Sequence, residues 1–216
     1  MRNSKIINIQ AFSDIICPWC FIGKRRLDSV TSKVDDLEVQ VRWRPYQLYP
    51  GIPYEGIDRR EYLRRKNGGD SDKNLASPRI REEAESVGID LRYDLIDKIP
   101  NTAYAHHLLE WSLDYKLQHE LAEALFEAYF CRGIDIGDPN SLIEVSESVG
   151  LSKTDVEQSL NSVSGKVDMT DYLDLAREHE IYSVPGYLFD NGYLLPGAQA
   201  EETIGHVLRR ISEKSA

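Results

Sequence analysis

The ends of the chain show the clearest alternation of apolar and polar residues. Lys5-Ile6-Ile7-Asn8-Ile9-Gln10-Ala11-Phe12 reads as a strand. Leu37-Glu38-Val39-Gln40-Val41-Arg42-Trp43 alternates strictly, as a strand with one buried face does. Between them Ile22, Arg26/Leu27 and Val30 recur at three- to four-residue steps, the period of a helix. Strand, helix, strand in this order predicts a right-handed β-α-β unit. The stretch from Arg44 to Pro53 then places three prolines (Pro45, Pro50, Pro53) within nine positions and breaks regular structure.

From about Ile57 to Ser162 the period stays helical, and no run reads as a strand. Segments near 58–66, 78–87, 102–117, 120–131, 140–149 and 153–160 carry it, punctuated by Gly68-Gly69, Gly88, Gly133 and Gly150. Ser152-Lys153-Thr154-Asp155 has the spacing of a capping box, with Asp in place of the usual Glu. The pattern over 167–180 predicts a helix leading back to the sheet. Gly186–Phe189 and Tyr193-Leu194-Leu195 read as short strands around Asp190-Asn191-Gly192, and Asn-Gly predicts a type I′ hairpin. The stretch 199–211 closes as a helix, with Glu201/Glu202 in its first turn and Arg209/Arg210 in its last, matching the helix dipole. The ends therefore predict an α/β unit, and the middle a helical insertion.

Composition narrows the function. The 216 residues suit one elaborated domain or two small ones. With Lys+Arg 26 against Asp+Glu 36, the net charge of −10 excludes nucleic acid as an expected partner. An acidic chain gains nothing from an anionic membrane, and no run of about 18 apolar residues predicts a membrane span. Met1-Arg2-Asn3-Ser4 leads straight into strand pattern without an apolar signal core, so a cytoplasmic location is expected. Three cysteines do not make a secreted disulfide framework.

The chemistry concentrates in Cys17-Pro18-Trp19-Cys20, between the first strand and the first helix. Two thiols three positions apart at a helix start face one another, because that spacing is close to one turn. The unpaired N–H groups and positive dipole end favour thiolate over thiol, which points to Cys17 as nucleophile and Cys20 as the resolving thiol. Pro18 fits the first turn, where its missing N–H costs nothing. A zinc site needs four ligands, but no second C-x-x-C or spaced His pair exists; Cys131 stands alone and His106 adjoins His107. No metal is expected. A structural disulfide over so short a loop restricts the unfolded chain little.

Further residues carry a family pattern. Ser13-Asp14-Ile15-Ile16-Cys17-Pro18-Trp19-Cys20-Phe21-Ile22-Gly23, Trp43-x-Pro45, Asn101-Thr102-x-x-Ala105-His106, Phe126-x-Ala128-Tyr129-Phe130, Val184-Pro185 and Gly197-Ala198-Gln199 follow in order over nearly the whole chain. Together they resemble the DsbA family, FrnE-like subgroup, which is similar to 2-hydroxychromene-2-carboxylate isomerases and kappa-class glutathione transferases. The resemblance implies an α/β, thioredoxin-like fold with a large all-helical insertion. The thioredoxin-like part would comprise 1–54 and 165–216, and the insertion 55–164.

The same resemblance implies thiol–disulfide exchange with protein or small-molecule thiols. Pro185 would be a cis-proline beside the reactive cysteine, although composition alone favours trans, cis being only about 5–6% of X–Pro bonds. Asn101 and His106 would face the thiols from the insertion, whereas the residues alone read Asn101-Thr102 as a helix N-cap. Trp19 and Val184 would contact substrate, and Phe12, Asp14 and Pro18 would shape the site, Phe12 with Trp19 and Phe21 as apolar walls. Arg59-Arg60-x-x-x-Arg64-Arg65-Lys66 reads as a solvated helix face, with anion binding as the alternative. Cys131 reads as a small buried filler. The isomerase and transferase relatives place Ser at the position of Cys17, so this chain retains dithiol chemistry. Gly197-Ala198-Gln199 opens the last helix where N–H groups could hold a carboxylate, but Ala198-Gln199 replaces the transferases' Ser-Asp pair. No cofactor is expected beyond glutathione as a possible co-substrate, and the chain is expected as a monomer or homodimer. The alternative is a one-thiol isomerase or transferase, which would not need Cys20.

Overall fold

A computed structural model describes residues 5–34, 36–67, 76–163 and 167–214. The predicted glycine break at 68–69 and the boundary at 164/165 lie outside the described residues. Strand β1 (Lys5–Ser13) leads into helix α1 (Pro18–Thr31), and β2 (Leu37–Pro45) returns parallel to β1. Strands β5 (Gly186–Phe189) and β6 (Leu194–Pro196) complete a four-stranded sheet of order β2-β1-β5-β6, with β5 antiparallel to both neighbours. Between β2 and β5 come α2 (Arg59–Asn67), α3 (Pro78–Glu85), α4 (Ala103–Trp111), α5 (Gln118–Arg132), α6 (Pro139–Ser148), α7 (Lys153–Ser162) and α8 (Thr170–Glu178); α9 (Glu201–Lys214) ends the fold. No helix among the described residues is long and apolar enough to cross a membrane.

The middle is not purely helical. Ile57–Asp58 (β3) pairs antiparallel with Lys98–Ile99 (β4), a bridge too short to leave a period-two signature. Three local expectations also change. Asn191 keeps a negative φ, and only Gly192 (φ 78°) is left-handed, so the hairpin loop has three residues instead of the two-residue type I′ form. Asn191 uses its side-chain oxygen to accept from the Tyr193 N–H at 3.0 Å. Ser152 caps α7 by position but makes no side-chain cap bond, so the Ser152–Asp155 box is unrealised. Lastly, the helix expected over 102–117 ends at Trp111 and tightens into a 3₁₀ turn, Ser112–Tyr115.

Alternation along β1 divides the core. Ile7, Ile9 and Ala11 join the large cluster beneath α1, α5 and α9, while Phe12 packs with Ala176, Ile181 and Leu188 in a smaller one on the α8 side. Phe21 of α1 stacks on Phe126 of α5, with ring centroids 5.1 Å apart and 3° between planes, and on Phe130 at 6.1 Å. Trp43 of β2 meets Phe126 edge-on at 6.3 Å, so one aromatic cluster locks α1 and α5 to the sheet. Such ring pairs add about 0.5–1.5 kcal/mol each beyond their buried area.

Two polar clamps reinforce the same joint. Gln118, the first residue of α5, accepts the Trp43 N–H at 2.8 Å and donates to the Trp43 C=O at 3.1 Å and the Leu109 C=O at 3.0 Å. Lys24 of α1, only 2% exposed, reaches Asp28 at 2.7 Å and Glu123 of α5 at 2.8 Å. His119 accepts the Trp43 indole N–H through Nδ1 at 3.2 Å and faces Asp28 through Nε2 at 2.9 Å. Indole is donor-only, so Nδ1 is the unprotonated nitrogen in this arrangement. Burial opposes the Asp28 charge, but the His119 hydrogen bond and the Lys24 charge outweigh it and hold the carboxyl below its usual range.

Candidate active site

The β1–α1 junction builds the site. The Cys17 N–H donates to the Asp14 C=O at 3.0 Å, turning the chain, and Cys17 becomes the N-cap of α1 with Pro18 in the first helical turn. Its C=O accepts from the N–H groups of Cys20 (3.0 Å) and Phe21 (3.3 Å). One turn brings the thiols together, both in the same buried cluster. Cys17 keeps 4% of its surface exposed and Cys20 none, so of the two only Cys17 can be reached. Burial pushes the Cys20 thiol well up, and its contact with Cys17 adds to the shift, against a smaller opposing pull from the Ser13 hydroxyl and the Asp14 backbone.

Loops from both halves of the sheet close over this turn. The Val184–Pro185 peptide is cis, and the Val184 C=O lies 3.8 Å from Cys17 Sγ. Pro185 is buried, and its C=O accepts from the Gly197 N–H at 2.7 Å. That bond occupies a donor expected to be open to a carboxylate, and α9 begins only at Glu201. The Ala198 C=O is also taken, by Arg26 Nη1 at 2.9 Å, while Nη2 pairs with Glu83. Behind Cys20, the Tyr187 hydroxyl packs on Gly23, is fully buried and has no hydrogen-bond partner; burial pushes its phenol well up. A Cβ at position 23 would collide with that hydroxyl.

Asp14 is wholly buried and ties two segments to the turn. Its carboxylate accepts the Leu48 N–H at 2.7 Å and meets His106 Nε2 of α4 at 3.4 Å. Asn101 donates to the Ile52 C=O at 2.6 Å and accepts the Ala103 N–H at 2.9 Å, capping α4 and anchoring the proline-rich loop. Asn101 and His106 are thus both buried and bonded to protein atoms. Trp19 is half-buried, with the Arg79 guanidinium 5.4 Å from its ring centre. Phe12 and Phe21 are both fully buried, Phe12 against the cluster that Val184 joins and Phe21 in the same cluster as the two thiols, stacked on α5. Cys131 is half-buried instead of enclosed, and burial raises its thiol. Among the described residues, no group of three or more His, Cys, Asp and Glu side chains is placed to hold a metal ion.

Beside the thiols lies a cavity of about 170 Å³, lined by Ile16 and Pro18, which flank Cys17, and by Tyr49, Arg59, Tyr62, Leu63, Tyr93, Ile99, Tyr129 and Phe130. Arg59 sits over the Tyr93 ring, 4.7 Å from its centre. Burial pushes the Tyr93 phenol up to about 12, with Cys17 adding to the rise against the pull of Arg59. The Tyr49 and Tyr62 rings meet edge-on with centroids 6.0 Å apart, and Tyr129 donates to the Lys98 C=O at 3.3 Å. A larger cavity, about 940 Å³, is lined by Lys24, Asp28, His119 and Glu123 and touches neither thiol. Chemistry, not size, identifies the site. The tyrosines escaped the sequence reading because they come from separate elements and share no local motif, and Arg59 differs from the exposed Arg60, Arg64 and Arg65 only through tertiary packing.

Comparison with known proteins agrees with this geometry. The profile of the DSBA-like thioredoxin domain matches residues 8–209. A Bacillus subtilis (strain 168) protein, the uncharacterized YwbO, is 25% identical over 197 residues, covering 91% of this chain and 92% of its own. The crystal structure of a probable DsbA oxidoreductase, SCO1869 from Streptomyces coelicolor, superposes with a TM-score of 0.81 at 22% identity, over 94% of this chain and 89% of that one. The cytosolic disulfide reductase DsbM from Pseudomonas aeruginosa, solved with GSH, superposes with a TM-score of 0.65 at 14% identity, over 96% and 98%.

Proposed function

The chain belongs to the DSBA-like thioredoxin domain family, and from that premise we propose that it exchanges disulfides with protein or small-molecule thiols through Cys17 and Cys20. The observation that carries this reading is the graded burial of the pair: a reachable Cys17 at the helix N-cap, with Cys20 enclosed one turn further on. In the reducing direction, the Cys17 thiolate attacks one substrate sulfur. A Cys17–substrate disulfide forms, and the other sulfur leaves as a thiolate that takes a proton from water. Cys20 then gives up its proton and attacks Cys17, releasing the second substrate thiol and leaving a Cys17–Cys20 disulfide. Two electrons have passed to the substrate, and an external thiol restores the pair. Because burial keeps Cys20 protonated until then, it does not compete for the first attack.

Trp19 and Val184 would border the entering sulfur. Asn101 and His106 would act on it indirectly. Asn101 holds the loop at the Ile52 C=O, and His106 meets Asp14, which fixes the turn that presents Cys17. We further propose a cytoplasmic setting, with glutathione as a co-substrate, no resident cofactor, and a monomer or homodimer. The fold likeness to a cytosolic reductase solved with GSH supports the first two. Single-turnover exchange and mass spectrometry of Cys17→Ser and Cys20→Ser test the scheme. Cys17→Ser is expected to abolish exchange, and Cys20→Ser to accumulate mixed disulfides. Full steady-state turnover by Cys20→Ser would replace the two-thiol scheme with a one-thiol isomerase or transferase reaction.

A further inference from the structure

The cavity beside Cys17 has a composition that disulfide chemistry alone does not require. Ile16, Leu63, Ile99 and Phe130 supply apolar wall, four tyrosines line it, and among the described residues Arg59 is the one charged side chain in the lining. Arg59 opens α2 and is half-buried, whereas Arg60, Arg64 and Arg65 on the same helix are exposed. Its guanidinium rests on the Tyr93 ring, which fixes its plane. The planar fork of a guanidinium matches a carboxylate and has five N–H donors to offer it. At about 170 Å³ the space accommodates a short acid arm.

We propose, resting on the oxidoreductase reading above, that this cavity is a specificity site for small disulfides that carry a carboxylate a few bonds from sulfur. Arg59 holds the carboxylate, the apolar wall takes the connecting carbons, and the sulfur is left at Cys17. Ile16 and Pro18 line the cavity on either side of that residue, so a bound acid arm lies next to the nucleophile. The reaction is the exchange already written. Cys17–sulfur forms as the substrate disulfide breaks, the released thiolate takes a proton from water, and Cys20 closes the protein disulfide while releasing the second acid thiol.

The test uses the full chain, prereduced, and two small aliphatic disulfides of similar size: dithiodipropionate, with carboxylates, and hydroxyethyl disulfide, without charge. Loss of protein thiols is followed in a single turnover, so no reductant is present. Arg59→Gln is expected to slow oxidation by dithiodipropionate about ten- to hundredfold, as loss of a charge-assisted hydrogen bond does, and to change the neutral reaction less than about twofold. The neutral reaction also reports whether the variant is folded. Equal loss on both disulfides, or loss on neither, overturns the assignment. Titration of Cys17→Ser with dithiodipropionate separates this inference from the oxidoreductase reading. Inert wild-type protein would defeat that reading, while saturable binding that Arg59→Gln abolishes would still support the cavity, and absence of binding would reject it.

Discussion

Lys24→Met should loosen the helix that carries the thiols. Methionine keeps most of the aliphatic stem, so the change removes chiefly the ammonium and its contacts with Asp28 (2.7 Å) and Glu123 (2.8 Å). Removing one partner of a fully buried pair costs about 3–5 kcal/mol, because the other charge is stranded. Here the stranding is partial. Glu123 and Asp28 are 24% and 34% exposed, and each keeps a second partner, Arg25 at 2.6 Å and His119 at 2.9 Å. The expected cost is therefore about 2–3 kcal/mol, a fall in Tm of about 4–12 °C for a chain of this size. Urea and thermal unfolding at pH 7 would measure it, and a cycle with Glu123→Gln should show coupling of at least about 1 kcal/mol. The loss should survive a rise from about 0.1 to 1 M salt, since buried pairs are little screened. A cost below about 0.5 kcal/mol, or one that disappears in salt, would refute the view that Lys24 fastens α1 to α5.

Two further outcomes follow from the same helix. Gly23→Ala drives a methyl group into the Tyr187 hydroxyl and should cost about 1–3 kcal/mol; adding Tyr187→Phe should recover most of it, since that hydroxyl bonds to nothing, and urea midpoints of the four proteins decide. Asp28 has a lowered value in the folded protein, so its stabilisation is full above the unfolded carboxylate value of about 3.9 and is lost as pH falls through the lower folded one. Asp28→Asn should accordingly be less stable than wild type at pH 7, with the gap closing through that acidic window in pH-dependent denaturation.

Much of this arrangement was legible in the sequence wherever local period or spacing carries it. β1, α1 and β2 follow from alternation and the three-to-four step, and the Cys17–Cys20 pair falls at the helix start because Pro18 belongs in a first turn. Non-local features were not legible. The β3–β4 bridge is two residues long on each side, and the Asn191–Gly192 turn is decided by loop length as well as by its dipeptide. Lys24 and Asp28 have the spacing of an ordinary surface pair; only α5, arriving much later in the chain, buries the lysine. The wall beside Cys17 likewise gathers Tyr49, Tyr62, Tyr93 and Tyr129 from four places that no window spans.

The hold of Gln118 on Trp43 bears on how this molecule behaves in a crowd. β2 is an outer strand of the sheet, and outer strands template the addition of foreign chains, the first step of strand-mediated aggregation. At Trp43 both backbone groups are already satisfied by a side-chain amide, so a ladder from another molecule is interrupted there. The opposite edge, β6, is three residues long and ends at Pro196, which has no N–H to offer. The sheet is thereby guarded at both borders against polymerisation, and Gln118 serves as a solubility device as well as a strut.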